Sequence, residues 1–327
     1  MNIYDVAREA GVSIATVSRV LNHKDYVSEK TRKKIQEILD RNEYHPSAIA
    51  RGLVTGSMKT VAIVAVDVRV PHYALTSYIM EQQLSKLGYM VIVCNTGEDK
   101  ESCKKYLEML AKRNVDGIIL VGSIFNRLCD EKETLSLLSE IPIVMANGKI
   151  ESPNIHSVLV DEAYGMELAT RHIYEKGHKK IAYLMDKDTD AAERKAEGFL
   201  RQMRQYGCEK PENDVYRIPY GLEGGGEAAG MLLEKGYDGA IFGEDLTAVG
   251  AMNVWTKMGV DIPGQMALTG CNNSEYSYIC NPKLTTVNNK GEVLSELSVQ
   301  MLRDVLLQKK ETATLMILPE LVVRETT

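Results

Sequence analysis

At 327 residues the chain is too long for a single core of roughly 150 residues, and its 44% hydrophobic and 26% charged content is that of an ordinary globular protein. This composition excludes long disorder, collagen-like repeats and a membrane barrel, and no apolar run approaches the ~18–20 residues of a spanning helix, so no membrane partner is expected. The net charge of −6 is unevenly divided: residues 1–60 carry ten Lys/Arg against seven Asp/Glu, and the remainder carries 29 against 38. A basic head on an acidic body suggests that only the head meets a polyanion.

Residues 1–46 hold no strand-like run and read as three short helices. Asp5 to Ala10 is helical, and Gly11 permits the positive φ that ends it. Ser13 is an N-cap for a second helix from Ile14 to Leu21, burying Val17 and Val20 or Leu21. Ser28 caps a third, with Ile35, Ile38 and Leu39 inward. The pattern is a helix-turn-helix with its supporting helix. Residues 47–58 read as a linker in which Ser47 to Leu53 could form two helical turns. Gly52 costs such a helix roughly 1 kcal/mol relative to Ala, so it should form only when something packs against it.

From Thr60 onward short β-branched runs alternate with amphipathic windows. Strands are expected at 61–66, 90–94, 117–121 and 143–145, then again at 181–184, 239–242, 267–269 and 321–324. Helices are expected at 102–113, 163–176, 191–206, 224–235 and 246–258. Near-continuous apolar strands separated by helices imply doubly wound parallel sheets, and two such series imply two α/β lobes with a cleft between their strand ends.

The second helix turns Ile14, Ala15, Thr16, Ser18, Arg19 and Asn22 outward. Arg19 can bond guanine O6 and N7 together, while Ile14 and Ala15 suit thymine methyls. Tyr4, Ser13, Tyr26, Ser28 and Thr31 offer hydroxyls or amides to phosphates. The alternative is a solvated helix face or a protein contact.

Enzymatic patterns are poor. Gly52, Gly56 and Lys59-Thr60 mimic a P-loop with the wrong spacing, and Gly224-Gly225-Gly226 is no dinucleotide fingerprint. His172 and His178 do not share a helix face, so no metal site is expected, and no catalytic constellation or cofactor motif is found. Six scattered cysteines (94, 103, 129, 208, 271, 280) suggest free thiols. Asp245 is expected to cap the helix that follows it, and Trp255 to pack.

The run from Ile3 to Asn22, IYDVAREAGVSIATVSRVLN, resembles the headpiece of the LacI/GalR family of bacterial transcription regulators. The likeness continues through Val27 to Arg32, Tyr44-His45-Pro46 and Ala50 to Leu53. In the core it includes Gly177 to Ile181, Asp261 to Pro263 and Pro282 to Val287. The resemblance implies an all-α headpiece over 1–46, a hinge helix or linker over 47–58, and a periplasmic-binding-protein-like core over 59–327. Lobe 1 would span about 59–160 and 290–318, and lobe 2 about 161–289 and 319–327. It implies that Ile14, Ala15 and Arg19 lie nearest the bases, that Tyr44 joins the DNA contacts, and that Leu53 wedges into the minor groove with Ala50 allowing close approach. It also implies operator DNA as partner, a homodimer, and the cytosol as compartment, in keeping with a start that lacks a signal-peptide pattern.

In the cleft the sequence departs from sugar-binding relatives. Lys195 stands where an Arg is usual, Glu244-Asp245 replaces Asn-Asp, and Asn272-Asn273 replaces Asp-Asp or Asp-Asn. His72, Tyr73 and Tyr220 remain as possible stacking groups, with Asn147, Lys195, Glu244 and Asn272 as polar partners for a sugar-like effector. The expected function is a repressor whose operator affinity responds to a cleft ligand. The alternatives are control by a protein corepressor and a plain sugar-binding module. No tetramer is expected, because the chain stops soon after its final strand.

Overall fold

A computed structural model describes residues 3–21, 26–42, 57–307 and 313–327. The chain divides into two compact units, Met1–Lys59 and Thr60–Thr327. Asn22, Tyr44, Ala50, Leu53 and most of the expected hinge helix lie outside the described residues.

In the first unit, α1 (Ile3–Ala10), α2 (Ile14–Leu21) and α3 (Glu29–Arg41) surround one small core. Val6, Ala7 and Ala10 of α1 meet Val17 and Val20 of α2 and Ile35, Ile38 and Leu39 of α3. Gly11 takes φ +68°, which lets the chain turn sharply out of α1. Ser13 Oγ accepts from the Thr16 amide at 3.2 Å, and Ser28 Oγ accepts from the Thr31 amide at 3.3 Å. Both serines therefore cap as their positions suggested.

The second unit begins with β1 (Thr60–Ala65), α4 (Pro71–Lys86), β2 (Met90–Asn95), α5 (Lys100–Lys112) and β3 (Gly117–Val121). A 3-10 turn (Ser123–Asp130), α6 (Lys132–Leu137), β4 (Ile143–Ala146) and β5 (Ile155–Val160) follow. The chain then lays down α7 (Glu162–Glu175), β6 (Ile181–Met185), α8 (Asp190–Gln205), β7 (Val215–Arg217), α9 (Leu222–Glu234) and β8 (Gly239–Phe242). Next come α10 (Asp245–Lys257), β9 (Ala267–Cys271), α11 (Tyr276–Ile279) and β10 (Thr285–Asn288). Finally α12 (Gly291–Leu306) leads to β11 (Thr314–Ile317) and β12 (Glu320–Val322).

These strands form two six-stranded sheets, ordered β11-β5-β4-β3-β1-β2 and β12-β10-β9-β8-β6-β7. The first is parallel throughout; the second is parallel except for β12, which runs antiparallel to β10. Alternation within strands explains why both faces are dry. Ala62 and Val64 of β1 face α5, whereas Val61 and Ile63 face α4 and α12. In β6, Ala182 and Leu184 pack toward α9 and α10, and Ile181 and Tyr183 toward α7 and α8.

Four strands, β5, β7, β10 and β11, lie where none was expected. Asp245 also departs from expectation. Glu244 holds the cap position of α10 without a side-chain bond, and Asp245 is the first helical residue. Its buried carboxylate accepts from the Ser274 amide at 2.6 Å, Ser274 Oγ at 2.8 Å and Thr286 Oγ1 at 2.5 Å. Those neighbouring donors outcompete the amides of its own helix. Trp255 is fully buried and donates Nε1–H to the Ala229 carbonyl at 3.1 Å.

Small residues set the helix spacing. A Cβ on Gly198 of α8 would stand 2.0 Å from the Ala163 carbonyl oxygen of α7. Gly198→Ala must push these helices apart, so we expect a loss of about 1–3 kcal/mol in urea unfolding. A variant as stable as the wild type would show that the α7–α8 contact yields freely.

Candidate functional site

The headpiece presents one open face. Ile14, Ala15 and Arg19 of α2 are exposed, and Thr16 and Ser18 are half-buried beside them. Ser13 sits at the N-terminal end of this face, with its hydroxyl 2.9 Å from that of Thr16. Tyr4 and Tyr26 are 63% and 97% exposed, too solvated to be core. Ser28 is exposed and Thr31 half-buried at the start of α3. The predicted base-reading and phosphate-facing side chains are thus accessible, apart from those beyond the described residues.

The second unit contains a cavity of about 460 Å³ between the two sheets. All seven residues proposed for effector contact line it: His72, Tyr73, Asn147, Lys195, Tyr220, Glu244 and Asn272. Their common origin is topological. Parallel strands direct their C-terminal ends to one edge, so the residues just beyond them converge there. Asn147 follows β4, Glu244 follows β8, and Asn272 follows β9. His72 and Tyr73 open α4, with ring centroids 5.4 Å apart.

The polar side chains first engage one another. Asn147, at φ +64°, donates from Nδ2 to Glu162 Oε1 at 2.8 Å and accepts the Val160 amide at 3.1 Å. Asn289 Nδ2 donates to Glu162 Oε2 at 3.1 Å and to Asn272 Oδ1 at 2.9 Å, and Asn272 Nδ2 donates to Glu244 Oε2 at 2.8 Å. Lys195 Nζ donates to the Gly243 carbonyl at 3.0 Å and lies 3.8 Å from Glu162 Oε2. An ammonium carries three N–H groups, so Lys195 keeps donors for a ligand.

Burial opposes the charge on Lys195, but the neighbouring Cys271, Glu162 and Glu244 outweigh it and hold its pKa well above the ordinary lysine value. Asp186, directly after β6, is pushed up to about 7 by burial and by the neighbouring charge of Glu244, even though Thr247 donates to it. Asp245 is likewise raised to about 7 by burial, which exceeds the lowering effect of its hydrogen bonds. His72 is lowered by burial, and Tyr73 and Tyr220 are raised by it. One face of Tyr220 already carries the Lys187 ammonium, 3.7 Å from the ring centroid.

Sequence reasoning missed Glu162, Tyr183, Asp186 and Asn289. Asp186 carried a usable signal, since it lies two residues past the expected apolar strand at 181–184, whereas Glu162 follows a strand that the sequence did not reveal. Tyr183 carried none, because an aromatic inside a strand reads as packing.

A helix-turn-helix headpiece joined to a core of two largely parallel-sheet lobes around a polar cavity defines a class of DNA-binding protein. Comparison with known proteins agrees. Residues 2–47 match the model of bacterial regulatory proteins of the lacI family, and residues 170–327 match a periplasmic binding protein-like domain. An HTH-type transcriptional regulator of Lachnoclostridium phytofermentans is 34% identical, with 100% of this chain and 99% of the relative aligned. The HTH-type transcriptional repressor PurR of Mannheimia succiniciproducens is 31% identical, covering 99% of this chain and 97% of the relative. Among solved structures, the CelR–cellobiose complex is 25% identical with a TM-score of 0.73, and covers 100% of both chains. The lac repressor dimer bound to operator and the anti-inducer ONPF shares the fold at 23% identity and a TM-score of 0.85, covering 100% of this chain and 99% of that one. The chain belongs to the lacI family: it is a DNA-binding transcriptional regulator, and its relatives are regulators and repressors rather than enzymes.

Two stability outcomes follow from the buried charges. Glu162→Gln leaves Lys195 without its nearest anionic partner and should cost roughly 3–5 kcal/mol in chemical unfolding. An unchanged midpoint would mean that the ion pair contributes nothing. For Asp186 and Asp245, the folded pKa of about 7 lies above the ordinary 3.8, so the folded chain binds those protons more tightly. Stability is then greatest below the unfolded value and falls as pH rises from about 4 to about 7. Tm should decline between about pH 4 and about pH 7, less steeply in Asp186→Asn; a slope the same in both would contradict the assignment.

Proposed function

We propose that the protein is a repressor that binds a pseudo-palindromic operator as a homodimer, with affinity set by a small polyhydroxylated ligand in the interlobe cavity. The observation that carries this reading is the presence, in one chain, of an accessible reading helix and a polar cavity at converging strand ends. Arg19, Ile14 and Ala15 occupy the exposed face of α2 that a major groove would meet. On the sequence resemblance, residues 47–58 act as the hinge, with Leu53 as minor-groove wedge and Ala50 beside it.

Leu75 and Tyr78 of α4, Leu87 after it, and Met90 and Val93 of the edge strand β2 are all more than 40% exposed. Large apolar side chains concentrated on neighbouring elements support a self-association surface. The cavity volume of about 460 Å³ suits a mono- or disaccharide-sized compound, and the similar CelR structure is a complex with cellobiose. Ligand binding would favour one angle between the lobes, and two-fold pairing would pass that choice to the spacing of the headpieces.

Selection from a random duplex library at moderate salt tests the reading. An enriched palindrome is expected, and absence of any enriched sequence would overturn operator recognition. On the selected site Arg19→Ala should cost about 1–3 kcal/mol and relax preference at one base pair in each half-site. An unchanged preference would remove Arg19 from the readers.

A further inference from the structure

The proposal that the cavity holds a small effector can be sharpened by its charge. Five carboxylates and three cationic side chains line it. Asp67 is held by Arg69 at 2.7 Å, and Glu162 is matched by Lys195. The remaining carboxylates, Glu98, Asp186 and Glu244, outnumber the one remaining cation, Lys187, and Lys195 also acts on Asp186 and Glu244.

Asp186 and Glu244 are neighbours by backbone register. Leu184 of β6 pairs with Phe242 of β8, and each acid lies two residues further along its strand. The Gly243 amide donates to the Leu184 carbonyl at 2.9 Å, and a Cβ on Gly243 would stand 2.6 Å from Asp186 Oδ1. Beside them Tyr220 offers an aromatic face on which the chain's own Lys187 ammonium rests. Paired carboxylates against an aromatic ring are the chemistry that selects organic ammonium ions.

A second observation is independent of charge. Tyr183 lines the cavity, is 0% exposed, and its hydroxyl has no hydrogen-bond partner. A buried hydroxyl left unpaired is costly, so one that borders a cavity is poised for a ligand group.

We infer that the effector is a hydroxylated amine of amino-sugar type, its ammonium between Asp186 and Glu244 against Tyr220, and one of its hydroxyls on Tyr183. The inference rests on the reading of this cavity as an effector site. Lys187 would leave the Tyr220 face to admit the ligand's amine. An anionic phosphosugar would meet a lining with more carboxylates than cations and be disfavoured.

The test is isothermal titration of the full-length protein with hexosamines, the matching neutral hexoses and hexose 6-phosphates. The amine should bind at least about tenfold more tightly than its neutral counterpart, a floor below the full Coulomb energy of one charge contact near a protein surface. The double variant Asp186→Asn, Glu244→Gln should bring the two affinities together. Tyr183→Phe should weaken both ligands by about fivefold and leave their ratio unchanged, as expected for loss of one hydrogen bond. A neutral hexose or a phosphosugar that binds as tightly as the amine overturns this inference while leaving the cavity an effector site. Failure of every class to bind at millimolar concentration overturns both.

Discussion

The core depends on the buried carboxylate of Glu162. It is 2% exposed, and a charge so placed is tolerated only with partners on all sides. Asn147 reaches it from the end of β4 in the first sheet, Asn289 from the segment between β10 and α12, and Lys195 from α8 over the second sheet. Glu162 itself opens α7, where the positive end of the helix dipole helps to hold it. One ionised group therefore ties together the strand end of one sheet, a crossover between the sheets, and the helix covering the other. Any change in the angle between the sheets has to keep or exchange these bonds.

Parallel topology explains why so much chemistry collects at this place. Each strand delivers its next residues to the same edge, so polar groups that need no mutual sequence proximity become neighbours. Asn289 joins Glu162 to Asn272, and Asn272 joins Glu244. The network spends the side-chain amides on internal positioning. What it leaves toward the cavity is acidic and aromatic, with one buried ammonium and one unpaired tyrosine hydroxyl.

Strong apolar runs made the architecture legible. Residues 117–121 are apolar at every position after the glycine, and β3 forms at those residues. β5 was hidden because His156 and Ser157 interrupt its apolar pattern, yet both are buried between β4 and β11. The headpiece was clearer still, since Gly11, Ser13 and Ser28 act through local backbone geometry that short sequence windows reveal. The cavity was legible in part: residues departing from the family's pattern drew attention to Lys195, Glu244 and Asn272. Glu162 escaped notice because its importance comes from burial and from partners as distant as Asn289, 127 residues away, and Tyr183 because an aromatic inside a strand reads as packing.

On the proposed reading, the hydrogen-bonded network around Glu162 holds the angle between the lobes and through it the affinity for the operator. Asn147→Ala removes one tie without touching a headpiece residue. Its affinity for the selected operator and for random DNA, measured side by side by fluorescence anisotropy, tests that claim most directly. The account predicts a several-fold change in specific affinity with non-specific binding unchanged. Equal affinity of variant and wild type for the operator, with the variant fully folded, would contradict it.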